Sequence, residues 1–146
     1  MVDKIQADLK QAQLSRDEVK VSTLRLLLSE IKNLEISKGN ILSDEDIVSV
    51  VQKEIKKRKE AAAGFRSGSR EEQAQKEEAE ARILEAYLPA QISTEELTNI
   101  VLTTINKLGA TGIADMGKVI GAVMGQVKGK ADGATVSQIV KEKLVL

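Results

Sequence analysis

Apolar residues in this chain recur every three or four positions, and no stretch shows sustained alternation of period two. A spacing of 3.6 lines one face of an α-helix, whereas a half-buried strand needs a spacing of two. The pattern therefore predicts an all-α fold, with helices buried against one another. Pro89 is the sole proline, so every other helix must be ended by glycine, asparagine or a capping side chain.

In chain order, Val2, Ile5, Leu9 and Ala12 predict a short first helix ending near Ser15. Asp17 precedes a stronger stripe of Leu24, Leu27, Leu28, Ile31 and Leu34, which runs to about Ser37 before Gly39 and Asn40. Arg25, Ser29 and Lys32 lie opposite, as a solvated face. Ser43 is placed to cap a third helix, with Asp44, Glu45 and Asp46 at the positive end of its dipole. Gly64 to Gly68 predicts a turn, Ser69 with Glu72 a second capping box, and a fourth helix extends to Leu88. Helices three and four form a long antiparallel hairpin whose base packs on the second helix and whose tip, around Phe65, projects into solvent. The basic cluster Lys53, Lys56, Lys57, Arg58 and Lys59 is interleaved with Glu54 and Glu60 and faces a glutamate-rich partner helix. Neutralisation within the hairpin is its expected role.

Pro89 to Ile92 is the expected boundary between an N-terminal helical domain, residues 1–89, and a small C-terminal three-helix domain, residues 93–146. Ser93 with Glu96 reads as a further capping box, and Leu97, Ile100, Val101, Ile105 and Leu108 mark a helix ended by Gly109. Asp115 is expected to cap the next helix, with Met116, Val119, Ile120, Val123, Met124 and Val127 turned inward. Asp132 is expected to cap the last, with Val136, Ile139, Val140 and Leu144 inward.

Composition narrows the chemistry. The chain has no cysteine and no histidine, which removes thiol nucleophiles, disulfides, zinc sites of the usual kind and imidazole acid–base catalysis. Phe65 and Tyr87 are the only aromatic residues, too few for a site that stacks single-stranded bases. The 22 basic and 22 acidic residues cancel, so nucleic acid or an anionic membrane could be held only by a local patch. No apolar run reaches the ~18 residues of a membrane span, and a soluble cytoplasmic protein is the expectation. Carboxylates are abundant but fall on charged helix faces, and no catalytic constellation, metal site or cofactor site is expected.

The segment from Gly112 to Leu146 is the informative exception, with six of the ten glycines. Gly117, Gly121 and Gly125 recur at four-residue spacing on one helix, where each costs roughly 1 kcal/mol relative to alanine. A strip without side chains admits another backbone: a neighbouring helix is the first expectation from the strip alone, a sugar-phosphate chain the second. Gly112, Gly117 and Lys118 imitate the start of a phosphate-binding loop, but Val119 replaces the hydroxyl that should reach magnesium. Lys118 in a first helical turn gains nothing from the dipole, which suits an external anion. Lys128 and Lys130 flank the next turn, and from Gly112 onward five lysines face three acids.

Four stretches resemble the GatB/YqeY family, that is, the small YqeY-like proteins and the C-terminal tail of the B subunit of the glutamyl-tRNA(Gln)/aspartyl-tRNA(Asn) amidotransferase. They are STLRLLLSEIKNLEI from Ser22, QKEIKKRKEAAAGF from Gln52, EARILEAYLPAQISTEEL from Glu80, and MGKVIGAVM with GKADGATVSQIVKEKL from Met116 onward. The resemblance covers nearly the whole chain. It implies two helical units and a tRNA-binding or amidotransferase-related accessory role, under a family label of carbon–nitrogen ligase with glutamine as amido donor. The catalytic domains of the amidotransferase have no counterpart here. Carried onto this sequence, the motif marks Gly117, Lys118, Gly121, Gly129, Lys130, Asp132 and Gly133, with Lys128 as a further phosphate contact. The alternative is a protein-interaction adaptor that uses the hairpin as an arm.

Overall fold

A computed structural model of the chain describes residues 1–145. Among them are seven α-helices, α1 Val2–Leu14, α2 Glu18–Lys38, α3 Asp44–Ser67, α4 Glu71–Glu85, α5 Thr94–Leu108, α6 Met116–Val127 and α7 Gly133–Val145, with no strand among the described residues. They divide into two compact units, Met1–Leu88 and Pro89–Leu146.

The first unit is built on the α2 stripe. Leu24, Leu27 and Ile31 are buried with Ile5 of α1, Ile47, Val51 and Ile55 of α3, and Ala81 and Leu84 of α4. Tyr87 closes this core, and its hydroxyl donates to Asp8 Oδ2 at 2.6 Å. That bond and burial both oppose loss of the phenolic proton, and the Tyr87 pKa is pushed upward, with burial the larger cause. The α3–α4 hairpin has apolar anchors at its base and charge along its length, because the inward-facing row passes from Val51 and Ile55 to Arg58 and Ala62.

Capping explains where α3 begins. The Ser43 hydroxyl accepts from the Asp46 amide at 3.2 Å while an Asp46 carboxylate oxygen accepts from the Ser43 amide at 3.1 Å, a complete capping box. Lys38 Nζ also reaches Asp46 Oδ1 at 2.8 Å, and these contacts hold the Asp46 carboxyl below its ordinary value, with Lys38 the largest cause. Ser43→Ala should lower stability by about 1 kcal/mol, read as a shift of the urea midpoint at unchanged slope. Because the Asp46 pKa is depressed in the fold, its stabilising effect is present above the ordinary carboxylate pKa and fades as pH falls through the depressed value.

Several local expectations fail for identifiable reasons. Gly64 does not begin a turn; α3 continues to Ser67, since one glycine weakens a helix by roughly 1 kcal/mol without removing any hydrogen bond. Ser69 does not cap α4. It lies in the left-handed region at φ 60°, closing α3, and Arg70 stands at the α4 N-cap without a side-chain bond. An N-cap needs extended backbone there. The fourth helix stops at Glu85 rather than Leu88, and Ala86 to Leu88 form a turn ahead of Pro89, which disfavours helical backbone in the residue before it. Phe65 is half-buried rather than a bare aromatic at the tip.

In the second unit Leu97 and Val101 of α5, Val119, Val123 and Val127 of α6, and Val136, Ile139, Val140 and Leu144 of α7 form the core. The Ser93 hydroxyl accepts from the Glu96 amide at 3.2 Å, the Ser93 half of the expected box. Gly109 ends α5 at φ 65°. Asp132 caps α7, accepting from the Thr135 amide at 2.9 Å and its hydroxyl at 2.8 Å. Asp115 does not cap α6 through its side chain; it closes the short 3-10 turn Ile113–Asp115, and its carboxylate accepts from the Thr111 amide at 3.1 Å.

Candidate nucleic-acid interface

The two faces of α6 differ in kind. Val119, Val123 and Val127 are fully buried at i, i+4 and i+8, flanked by the partly buried Met116, Ile120 and Met124. These six residues turn one side of the helix into the core, and the remaining positions must point outward. Gly117, Gly121 and Gly125 occupy that outward side, all exposed, with exposed Lys118 and Gln126 beside them. Among the described residues, a Cβ placed at any of the three glycines would meet no atom within 4 Å outside its own stretch of helix. The first expectation for this strip, packing against a neighbouring helix, is therefore not met within the C-terminal unit: among the described residues neither α5 nor α7 covers it.

Lys118 is the third residue of α6 and is exposed, without an ion partner among the described residues. The C-terminal end of the same helix carries the other sequence-marked positions. Lys128 ends α6 at φ 28° with its amide on the Met124 carbonyl at 3.1 Å, and Gly129 follows at φ 84°. Two successive residues at positive φ make a tight reversal, and Lys130 closes it by donating to the Val127 carbonyl at 2.8 Å. Gly129 is itself buried, so it serves the path of the chain rather than an open surface. Gly133 is exposed at the start of α7, where a Cβ would lie 4.0 Å from Met124 Cε.

The turn is fixed from the other side by the segment after Pro89. Gln91 Nε2 donates to the Gly129 carbonyl at 3.1 Å, and the Ile92 amide donates to the Lys130 carbonyl at 2.9 Å. With those carbonyls occupied, Lys130 is left with an exposed side chain on a constrained backbone. Gln91 was not foreseen as part of this region, because its contact spans 38 residues and leaves no local sequence signal. Gln126 was missed too; its amide donates to Thr104 Oγ1 of α5 at 2.9 Å, holding α6 from its outward flank. Gly125 belongs to the strip by its spacing but stands outside the positions the family motif marks, and the structure places it on the same exposed face as Gly117 and Gly121.

Gly117, Lys118 and Gly121 thus share the outer face of the first half of α6, whereas Lys128, Gly129, Lys130 and Gly133 gather at its far end. Ten residues of helix separate Lys118 from Lys128, about 15 Å along the axis. Two cationic points with bare backbone between them are suited to an extended anionic chain approaching closely, with contacts to phosphates rather than to bases. Gly112, where a phosphate loop would begin, precedes a 3-10 turn and follows no strand among the described residues. No group of three or more acidic side chains able to hold a metal ion occurs among the described residues, and no helix among them is long and apolar enough to cross a membrane.

The comparisons with known proteins match this chain over nearly all its length. The protein named "Altered inheritance of mitochondria protein 41, mitochondrial" from Pyrenophora tritici-repentis is 31% identical over 146 residues, covering 97% of this chain and 80% of its own. Its namesake in Eremothecium gossypii is 33% identical, covering 82% of this chain and 67% of its own. That of Vanderwaltozyma polyspora is 35% identical over 71% of this chain and 58% of its own. A family model described as "Yqey-like protein" matches residues 2–144, and the chain belongs to the YqeY family.

Proposed function

We propose that this protein is a tRNA-binding accessory module that holds the RNA by its sugar-phosphate backbone on the outer face of α6. The reading includes a relation to the tail of the tRNA-dependent amidotransferase B subunit, for which the sequence resemblance is the support. The observation that carries the RNA contact is the open glycine strip: Gly117, Gly121 and Gly125 weaken α6, yet among the described residues nothing occupies the space they leave. Lys118 at one end and Lys128 and Lys130 at the other supply cations for phosphates, and the glycines admit ribose. Few cations mean modest affinity and a shallow dependence on salt, with each lost phosphate contact reducing the logarithmic salt slope by about 1. The proposed setting is the cytoplasm; the mitochondrial designation is that of the fungal relatives.

A filter-binding titration with total tRNA at low salt tests this. Lys118→Ala and Lys130→Ala should each weaken binding severalfold and flatten the salt dependence. Absence of binding by the parent, or binding unchanged from the parent in both variants, would remove the interface from α6. The second reading, a protein-interaction adaptor using the hairpin as an arm, is favoured by the ionic rather than apolar character of the outer hairpin, which leaves its length outside the core.

A further inference from the structure

The chain reverses between α1 and α2 through a residue that the turn itself does not favour. Arg16 stands at φ 58°, just past the C-cap of α1, where a Schellman motif usually takes glycine. The motif is complete: the Arg16 amide donates to the Gln13 carbonyl at 3.3 Å and the Asp17 amide to the Ala12 carbonyl at 3.0 Å. A side chain is strained in this backbone conformation and glycine is not. The turn therefore supplies no reason for a guanidinium here.

The neighbouring surface supplies one. An open groove of about 710 Å³ runs beside the turn, lined by Gln13 and Arg16 and, on α2, by Glu18, Val21, Arg25 and Leu26. Leu26 is 53% exposed, and Val19, two turns earlier on the same face of α2, is 36% exposed. Leu24, Leu27 and Ile31 fill the core from the other side of the helix, so the chain leaves this apolar face uncovered. Apolar surface rimmed by polar residues is characteristic of an interaction site.

Charge selects the occupant. Arg16 and Arg25 are exposed, and neither has an ion partner among the described residues. Asp17 and Glu18 are near in the chain but stand at the N-terminus of α2, where the helix dipole offsets negative charge. The Asp17 carboxylate also accepts from the Lys20 amide at 3.2 Å. A nucleic acid would meet Glu18 between the two arginines and would make no use of the apolar floor. From Glu18 to Arg25 the helix rises about 10 Å, or two turns. We propose that this groove docks an amphipathic helix of a protein partner. Two carboxylates of that helix, two turns apart, pair with Arg16 and Arg25, and a leucine-sized side chain between them seats on Val21 and Leu26. The site belongs to the first unit and does not rest on RNA binding by α6.

The test titrates the full isotope-labelled chain with a synthetic alanine-based helical peptide carrying glutamates at i and i+7 and leucines at i+3 and i+4. The same peptide with both glutamates replaced by glutamine is the comparison. The glutamate peptide should shift amides of residues 13–26, and the glutamine peptide should bind about tenfold more weakly. Arg25→Glu should weaken binding by about tenfold or more, and a peptide with lysine in place of one glutamate should recover most of the loss. Arg16→Gly should bind severalfold more weakly while its thermal midpoint stays level or rises, which separates lost contact from lost fold. The proposal fails if residues 13–26 do not respond, if the two peptides bind equally, or if Arg25→Glu binds like the parent. It also fails if tRNA shifts the same amides and displaces the peptide, since the occupant is then a nucleic acid. Sedimentation showing a dimer that Leu26→Asp dissociates would overturn it in favour of a second copy of this chain.

Discussion

Replacing Gly117, Gly121 and Gly125 together by alanine should stabilise the C-terminal unit and abolish its binding to tRNA. Each interior glycine of a helix costs up to about 1 kcal/mol relative to alanine, through backbone entropy lost on folding. Gly117 stands at the second position of α6, where the penalty is smaller, so the three substitutions together should contribute about 2 kcal/mol. No methyl group would clash, because the space at all three positions is open. In a small helical unit that gain corresponds to roughly 10 °C in thermal midpoint, readable by circular dichroism. The same methyls would hold a sugar-phosphate chain away from the backbone and displace phosphates from Lys118. Higher stability with lost binding is a signature that folding damage cannot imitate. A lower midpoint would mean that the strip has a contact inside the chain after all, and unchanged binding would mean that RNA does not approach it.

Arg58→Ala should be the most destabilising single change in the hairpin, costing about 3 kcal/mol. The loss arises less from the ion pairs themselves than from what remains: Glu54 is buried and Glu80 nearly so, each deprived of its guanidinium. If that is the cause, neutralising the carboxylates as well, with Arg58→Met, Glu54→Gln and Glu80→Gln in one protein, should restore most of the stability. Urea unfolding followed by helicity checks both. By contrast the exposed Arg66, bound to Glu71 at 3.0 Å and Glu78 at 2.6 Å near the tip, is solvated and screened, and its removal should matter far less. If Arg66→Ala costs as much as Arg58→Ala, the distinction between buried and exposed pairs does not describe this arm.

The helical class and the inward residues were legible in the sequence because they depend on periodicity, which is a local property. The α6 core row shows this, since Val119, Val123 and Val127 are all fully buried. The residues that govern how helices end were less legible. Ser69 has the chemistry of a cap, but the chain reverses through it in the left-handed region, a choice made by the turn as a whole. Asp115 likewise spends its carboxylate on the preceding Thr111 amide. At the candidate interface, the glycine spacing and lysine positions could be read directly, whereas whether the glycines faced a helix or open space depended on the placement of every other element. The pinning of Gly129 and Lys130 by Gln91 and Ile92 is a long-range contact, and no pattern in either segment announces it.

The central claim is that the exposed glycine–lysine face of α6 receives RNA, and amide-shift mapping of the full chain during addition of unfractionated tRNA at low salt tests it most directly. The account predicts the largest perturbations at Gly117, Lys118, Gly121 and Gly125 and at Lys128 and Lys130, reversed by added salt and absent from the α3–α4 hairpin. Perturbations confined to Lys53, Lys56 and their neighbours on α3, or none at all, would contradict it.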